Sequence, residues 1–392
     1  MDKIVNLSDA DRLEMFQITS SQLGIPVVMV EKDFWVCWSL ERIFSDAWLC
    51  KYLRFRGGTS LSKGYDLIKR FSEDIDLTLD KDLVLTTEAN KRLLRSKKSY
   101  KENKDLVSDM AAQYIKTTLK DKIAAVLGDV VKIYTDEKFN KIIGAASEQK
   151  NNNKNLHIVY PTVTDKTKND EYIRQDILLE VGILSALTPN EMRSILPFVA
   201  EVYKNLEIRP INVPTIQATR TFWDKATILH REYYRPATKK ETETGVEKPN
   251  HTPERYSRHY HDLYKMGHSA IKNEALKDHA LLQEVIDYKN QFYPCGWGHT
   301  FDECATGGIH LLPNDNNYEL LKQDYISMRN MIYGDVPRWE EIMDYLAELE
   351  KEINNKYSLS NEAIQGIEDG LKSMEENQEM PLDKAFKKIE NK

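Results

Sequence analysis

The chain has 392 residues, 41% of them hydrophobic and 30% charged, with 55 Lys and Arg against 62 Asp and Glu for a net charge of −7. That is a globular composition, long enough for about two domains that need no disulfide or structural metal, and its acidity gives no overall positive field to gather a polyanion. Four cysteines are too few for a secreted disulfide framework, the first residues lack the features of a signal peptide, and no apolar run reaches the roughly 18 residues of a membrane span, so a cytoplasmic protein without a membrane partner is expected.

Ser8 followed by Asp11 resembles a capping box and opens a first helical stretch, and Pro26 suits the first turn of a second helix over 26–44. Val30, Phe34 and Cys37 form an apolar side of that helix, leaving Glu31, Lys32 and Asp33 more exposed. Residues 53–56 alternate like a short strand and stop at Gly57-Gly58, ahead of a helical segment over 61–70. DIDLTLD at 74–80 alternates strictly, with Ile75, Leu77 and Leu79 on one face and Asp74, Asp76 and Thr78 on the other, which is a half-buried strand. Further strands are expected at 130–134, 156–163 and 172–182. KRLLRSKKSYKENK at 91–104 carries seven basic residues and one acidic, and reads as a solvated helix face or a local nucleic-acid contact. Past about Pro214 the pattern turns helical, at 216–234, 254–266, 273–292, 319–333 and 338–357. The polar stretch 236–255 suits a mobile loop.

The chemistry concentrates at 55–80. Asp74 and Asp76 leave the same face of a strand with Cα atoms about 6.5 Å apart, and a hard cation such as Mg²⁺ (or Mn²⁺) relieves their repulsion. Upstream, the free N–H groups of Gly57-Gly58-Thr59-Ser60, with the Thr59 and Ser60 hydroxyls and Lys63, can cradle phosphates. Strand, Gly-Gly-Thr, helix, then Asp-x-Asp on the next strand resembles the polymerase-β-like nucleotidyltransferase superfamily. EKDFWVCWSLERIF, FRGGTSLSKGYDLIKRFSEDIDL, TRTFWDKATILHRE and RHYHDLY, in that order, resemble the AbiEii/AbiGii toxin nucleotidyltransferases over about residues 26–340.

What this resemblance implies is an α+β fold, a polymerase-β-like nucleotidyltransferase domain with a small mixed sheet followed by a helical C-terminal domain; the pattern along the chain sets the first, with its N-terminal helices, at 1–210 and the helical domain that completes the cleft at 211–357, and leaves a charged helical tail over 358–392 outside the resemblance. It implies metal-dependent transfer of a nucleotide from an NTP to an acceptor, either RNA such as tRNA or a protein. The biological role implied is the toxin of a toxin–antitoxin or phage abortive-infection system, with a cognate antitoxin as partner. Asp74 and Asp76 become the metal carboxylates, Ser72 orients phosphates or metal, Lys225 meets the triphosphate, and Asp262 completes the site, with Arg258 on its helical face. For a third acidic residue, Asp176 and Glu180 share a strand face, and Glu180, flanked by Leu179 and Val181, is favoured. A catalytically silent nucleotide- or partner-binding protein of the same fold is the alternative, which intact Asp74, Asp76 and Lys225 argue against. Cys295, His299, Cys304 and His310 have the residue types of a zinc site at a spacing that matches no common zinc module.

Overall fold

The computed structural model describes residues 1–143, 154–164, 174–240 and 247–358. The Asp11 amide donates to the Ser8 hydroxyl at 3.2 Å and opens helix α1 (Asp9–Leu23), which Gly24 ends in the left-handed conformation. Helix α2 (Val27–Ser45) follows Pro26 as expected, but it is buried almost all round rather than along one stripe. Glu31, Lys32 and Asp33, expected nearer the surface, are 0%, 1% and 3% exposed. Each buried charge meets a partner: Glu31 accepts the Val163 amide at 2.6 Å, Lys32 donates to Glu73 at 2.7 Å, and Asp33 pairs with Lys63 at 2.8 Å.

Seven strands form one mixed sheet: β1 (Leu53–Arg56), β2 (Ile75–Leu79), β3 (Lys132–Thr135), β4 (Asn155–Val159), β5 (Ile177–Gly182), β6 (Asn190–Ile195) and β7 (Ile211–Ile216). Their order is β3-β4-β5-β2-β1-β7-β6. β2 runs antiparallel to β1 and parallel to β5, so the strand that carries Asp76 lies between those of Arg56 and Glu180. Ile75, Leu77 and Leu79 are buried, as the alternation requires. β6 and β7 are not among the expected strands, because β6 is a partly solvated polar strand and β7 contains Pro214, which cannot donate to the ladder. Since β7 belongs to the sheet, the sheet extends to Ile216, beyond the expected division at residue 210. The segment expected to be helical over 61–70 stops at Gly64, and Asp66 then takes a positive φ of 52°.

The basic run enters helix α3 (Lys97–Tyr114). Beyond β7 come α4 (Ala218–Tyr233), α5 (Ser257–Gly267), α6 (His279–Phe292), α7 (Asp315–Met328) and α8 (Trp339–Tyr357). The helix expected over 273–292 is two, broken at Asp278, whose carboxylate accepts the Leu281 amide at 2.9 Å and caps α6. The expected loop at 236–255 contains an antiparallel pair of short strands, Thr238–Lys240 with Glu247–Pro249. Backbone hydrogen bonds tie the helical part to the segment before β2: the Phe71 amide donates to the Met331 carbonyl at 2.7 Å and the Tyr333 amide to that of Lys69 at 2.9 Å. Among the described residues no helix is long and apolar enough to cross a membrane. Residues 359–392 of the expected tail lie outside the described residues.

Candidate active site

The sheet register sets Arg56, Asp76 and Glu180 in one row across β1, β2 and β5. Asp74 stands two residues ahead of Asp76, just before β2 begins, and both are partly exposed. The Gly-Gly turn that follows β1 is shaped to this row. Gly57 has a φ of +78°, and a Cβ there would lie 1.9 Å from an Asp76 carboxylate oxygen; at Gly58 it would lie 2.7 Å from the Ser72 hydroxyl. Glycine at both positions therefore lets the backbone lie directly against Asp76 and Ser72.

Carboxylates in this group disfavour one another's ionisation. Burial, then the neighbouring Glu73 and Asp76 charges, push Asp74 up to about 6. Glu180 is open to solvent along part of its side chain, but loss of hydration on the rest, followed by Asp76 and Asp74, takes it up to about 7. Burial also opposes ionisation of Glu73, yet Lys32 and Arg255 outweigh it and hold Glu73 below the usual carboxylate range. Glu73 is thus the ionised carboxylate of an internal ion pair, and Asp74 beside it bears the cost in proton affinity.

Asp262 sits in a different environment. It is fully buried and accepts from Arg70 Nε and Nη2 at 3.1 and 3.0 Å, from Lys225 Nζ at 2.9 Å, and lies 3.2 Å from His261 Nδ1. Burial works against its charge, but Arg70 and Lys225 hold the carboxyl well below its ordinary value. Burial lowers the proton affinity of Lys225 in turn, with Asp262 opposing. Asp262 is therefore a fixed anion that positions Arg70 and Lys225. Above this cluster lies a shallow notch lined by Ser72, Asp74, Arg255 and Arg258. Arg258, on α5 with Asp262, is the cation whose field favours ionisation of both Asp74 and Glu180.

Three sequence expectations change. Lys63, expected at the phosphates, points into the interior, pairs with Asp33 at 2.8 Å and lies over the Phe198 ring at 4.0 Å. The Thr59 hydroxyl is buried and donates to the carbonyls of Asp74, at 2.5 Å, and Ser72. Ser60 donates to the Gly57 carbonyl at 2.8 Å. Ser60 thus braces the turn by satisfying a glycine carbonyl, and Thr59 ties the turn to the segment that leads into β2. Of the two acidic candidates, Asp176 stands just before β5 and is engaged by His157 at 2.8 Å and Arg174 at 3.0 Å, while Glu180 of β5 lies beside Asp76. Arg56, Glu73 and Arg255 were not picked out from the sequence; the EKD run within an otherwise apolar α2 was the available signal that buried partners existed.

Among the described residues, no three His, Cys, Asp or Glu side chains gather closely enough to hold a metal ion on their own. Asp74, Asp76 and Glu180 nevertheless supply hard oxygen donors, two of which burial and then neighbouring carboxylates make reluctant to ionise, and a divalent cation that keeps water and substrate oxygens in its shell suits such a set. A mixed sheet with a Gly-Gly turn packed on an Asp-x-Asp strand, closed by a helical segment bearing Lys225 and Asp262, defines the nucleotidyltransferase class. The chain belongs to the nucleotidyl transferase AbiEii toxin family of type IV toxin–antitoxin systems, whose profile it matches over residues 38–347. Among solved structures it is similar to MenT4, a nucleotidyltransferase toxin from Mycobacterium tuberculosis H37Rv, at 13% identity and a TM-score of 0.37, over 88% of this chain and 99% of that one. No curated protein matches it.

Proposed function

We propose that the protein transfers a nucleotide from an NTP to a hydroxyl of an acceptor, RNA or protein, with Mg²⁺ or Mn²⁺ held by Asp74, Asp76 and Glu180, and that it does so as the toxin paired with a cognate antitoxin in a toxin–antitoxin or abortive-infection system. The observation that carries this reading is the Arg56–Asp76–Glu180 row with Asp74 at its edge and the Gly57–Gly58 backbone pressed against it. When bound, the cation lowers the pKa of the attacking hydroxyl and neutralises phosphate charge. The protein's own groups do the rest. Gly57 and Gly58 bring backbone within reach of the triphosphate, Ser72 and Arg258 line the notch that receives it, and Asp262 holds Lys225 and Arg70 rigidly below.

The acceptor oxygen forms a bond to the α-phosphorus, the bond from that phosphorus to the β-phosphate bridging oxygen breaks, and pyrophosphate departs while the hydroxyl proton passes to solvent. No side-chain nucleophile is needed. The test is incubation with each α-labelled NTP, Mg²⁺ and total RNA plus cell protein, followed by a denaturing gel with and without RNase or protease. A labelled polymer is the expected result, and its sensitivity names the acceptor class; absence of label with every NTP contradicts the reading and favours a silent binding protein. Growth arrest on expression, relieved by a co-expressed neighbouring gene product, tests the toxin role separately.

A further inference from the structure

The three residues ahead of β2, Ser72 to Asp74, are gripped from three places in the molecule. The Thr59 hydroxyl, in the turn after β1, holds the carbonyls of Ser72 and Asp74. Between them, the buried Glu73 carboxylate accepts from Lys32 Nζ of α2 at 2.7 Å with one oxygen and from Arg255 Nη1 at 3.0 Å with the other. Lys32 is sealed in the interior, whereas Arg255 comes from the helical part, 182 residues further along the chain, with a side chain 38% exposed. Residues 73, 75 and 77 are buried while 74 and 76 are partly exposed. Whatever fixes Glu73 inward therefore fixes Asp74 toward the cleft.

Arg255 is itself held in an uncommon conformation. Its φ of 62° lies in the left-handed region, which glycine takes readily and other residues seldom do. Such a backbone persists where its surroundings hold it, and here a single carboxylate does so. Asp324 of α7 accepts the Arg255 amide at 2.9 Å with one oxygen and the Ser257 amide at 2.8 Å with the other. Ser257 opens α5, the helix of Arg258 and Asp262, so one clamp sets both the turn and the start of that helix. From the turn, Arg255 reaches Glu73 and lines the notch beside Asp74 and Arg258, while Asp324 stays outside the notch lining. Asp324, Arg255 and Glu73 thus form a series that ends one residue from Asp74.

We infer that Arg255 is a positioning residue for the cation-binding carboxylates: seated by Asp324, it holds Glu73 and so directs Asp74, which makes the fit of the helical part over the sheet a condition for binding the cation. This rests on the reading of Asp74, Asp76 and Glu180 as cation ligands, so the test measures cation binding without NTP. Loss of the free-ion electron paramagnetic resonance signal of Mn²⁺ gives the affinity of the wild type, Arg255→Met, Arg255→Lys, Asp324→Asn and the double variant Arg255→Met/Asp324→Asn, with a thermal melt of each. Groups that orient metal ligands from behind contribute about 10- to 100-fold in affinity, so Arg255→Met is expected to weaken Mn²⁺ binding by about tenfold. Arg255→Lys, which keeps a cation at Glu73, recovers most of that loss. Asp324→Asn weakens binding by a smaller factor and adds nothing once Arg255 is gone, because the two act in series.

Wild-type Mn²⁺ affinity in a folded Arg255→Met protein, whatever its melting temperature, overturns the inference and leaves the cation site standing. Separate and additive losses in the double variant break the series and overturn it too. If Arg255→Met does not fold, Asp324→Asn decides: reduced Mn²⁺ affinity upholds the inference and unchanged affinity overturns it. A wild type that binds no Mn²⁺ defeats the cation site and the inference together. A wild type whose Mn²⁺ affinity depends on Arg255 but which labels no polymer upholds the positioning role and defeats the transfer reading.

Discussion

Asp74 and Asp262 are both aspartates beside cations, yet their surroundings give them opposite work. Asp262 is enclosed by Arg70, Lys225 and His261. Removing it takes the buried carboxylate away from Lys225 and Arg70, so Asp262→Ala is expected to lower stability by about 3–5 kcal/mol in urea unfolding. Asp74 repels its neighbours instead. Its carboxyl keeps a proton up to about pH 6 in the folded metal-free protein, against an ordinary value of 3.8. The native state therefore holds more protons between those values, and stability falls as pH rises across that window and stays reduced above it. Asp74→Asn removes a charge that burial and then the neighbouring carboxylates disfavour, and is expected to raise the stability of the metal-free protein by about 2 kcal/mol near neutral pH. That gain vanishes at about pH 3.5, where both forms are neutral, and thermal melts at the two pH values check the sign. Asp74 and Asp76 were legible as a pair from alternation alone. The burial of Asp262 was not, because a helix sequence does not state what packs over it.

At the level of elements, α2 and the turn after β1 depart furthest from expectation. An amphipathic reading of α2 left Glu31, Lys32 and Asp33 outside; tertiary partners from three separate segments bring them in. Lys63 is the clearest case, since its place after a Gly-Gly turn suggested phosphate while its ammonium meets Asp33 in the interior. Lys63→Met is thus expected to cost about 3 kcal/mol or more in unfolding free energy, by stranding Asp33, while leaving NTP affinity of the folded protein unchanged in calorimetry. A phosphate-binding lysine would give the reverse pattern. Strand β2 was legible because a half-buried strand imposes period two on its apolar residues. β6 and β7 were not, because a polar strand and a Pro-bearing one lack that signal.

For the whole molecule, the two parts of the chain meet at the site: Arg70, from the segment before β2, grips Asp262 of α5, and Arg255 reaches Glu73 at 3.0 Å. Closing a helical segment over the sheet in this way brings Arg255 beside Glu73, and Arg258 near Asp74 and Glu180, carboxylates far from them in sequence. Cation binding must displace the protons that Glu180 and Asp74 hold up to about 7 and about 6. Mg²⁺ affinity measured by calorimetry is accordingly expected to weaken as pH falls from about 8 to about 5, with proton release on binding. The most direct test of the account is transfer of label from an α-labelled NTP by the wild type and by Asp74→Ala, with thermal melting of both. The account predicts at least about a hundredfold loss of transfer in Asp74→Ala with no fall in melting temperature. Transfer near the wild-type rate by a folded Asp74→Ala protein would contradict it.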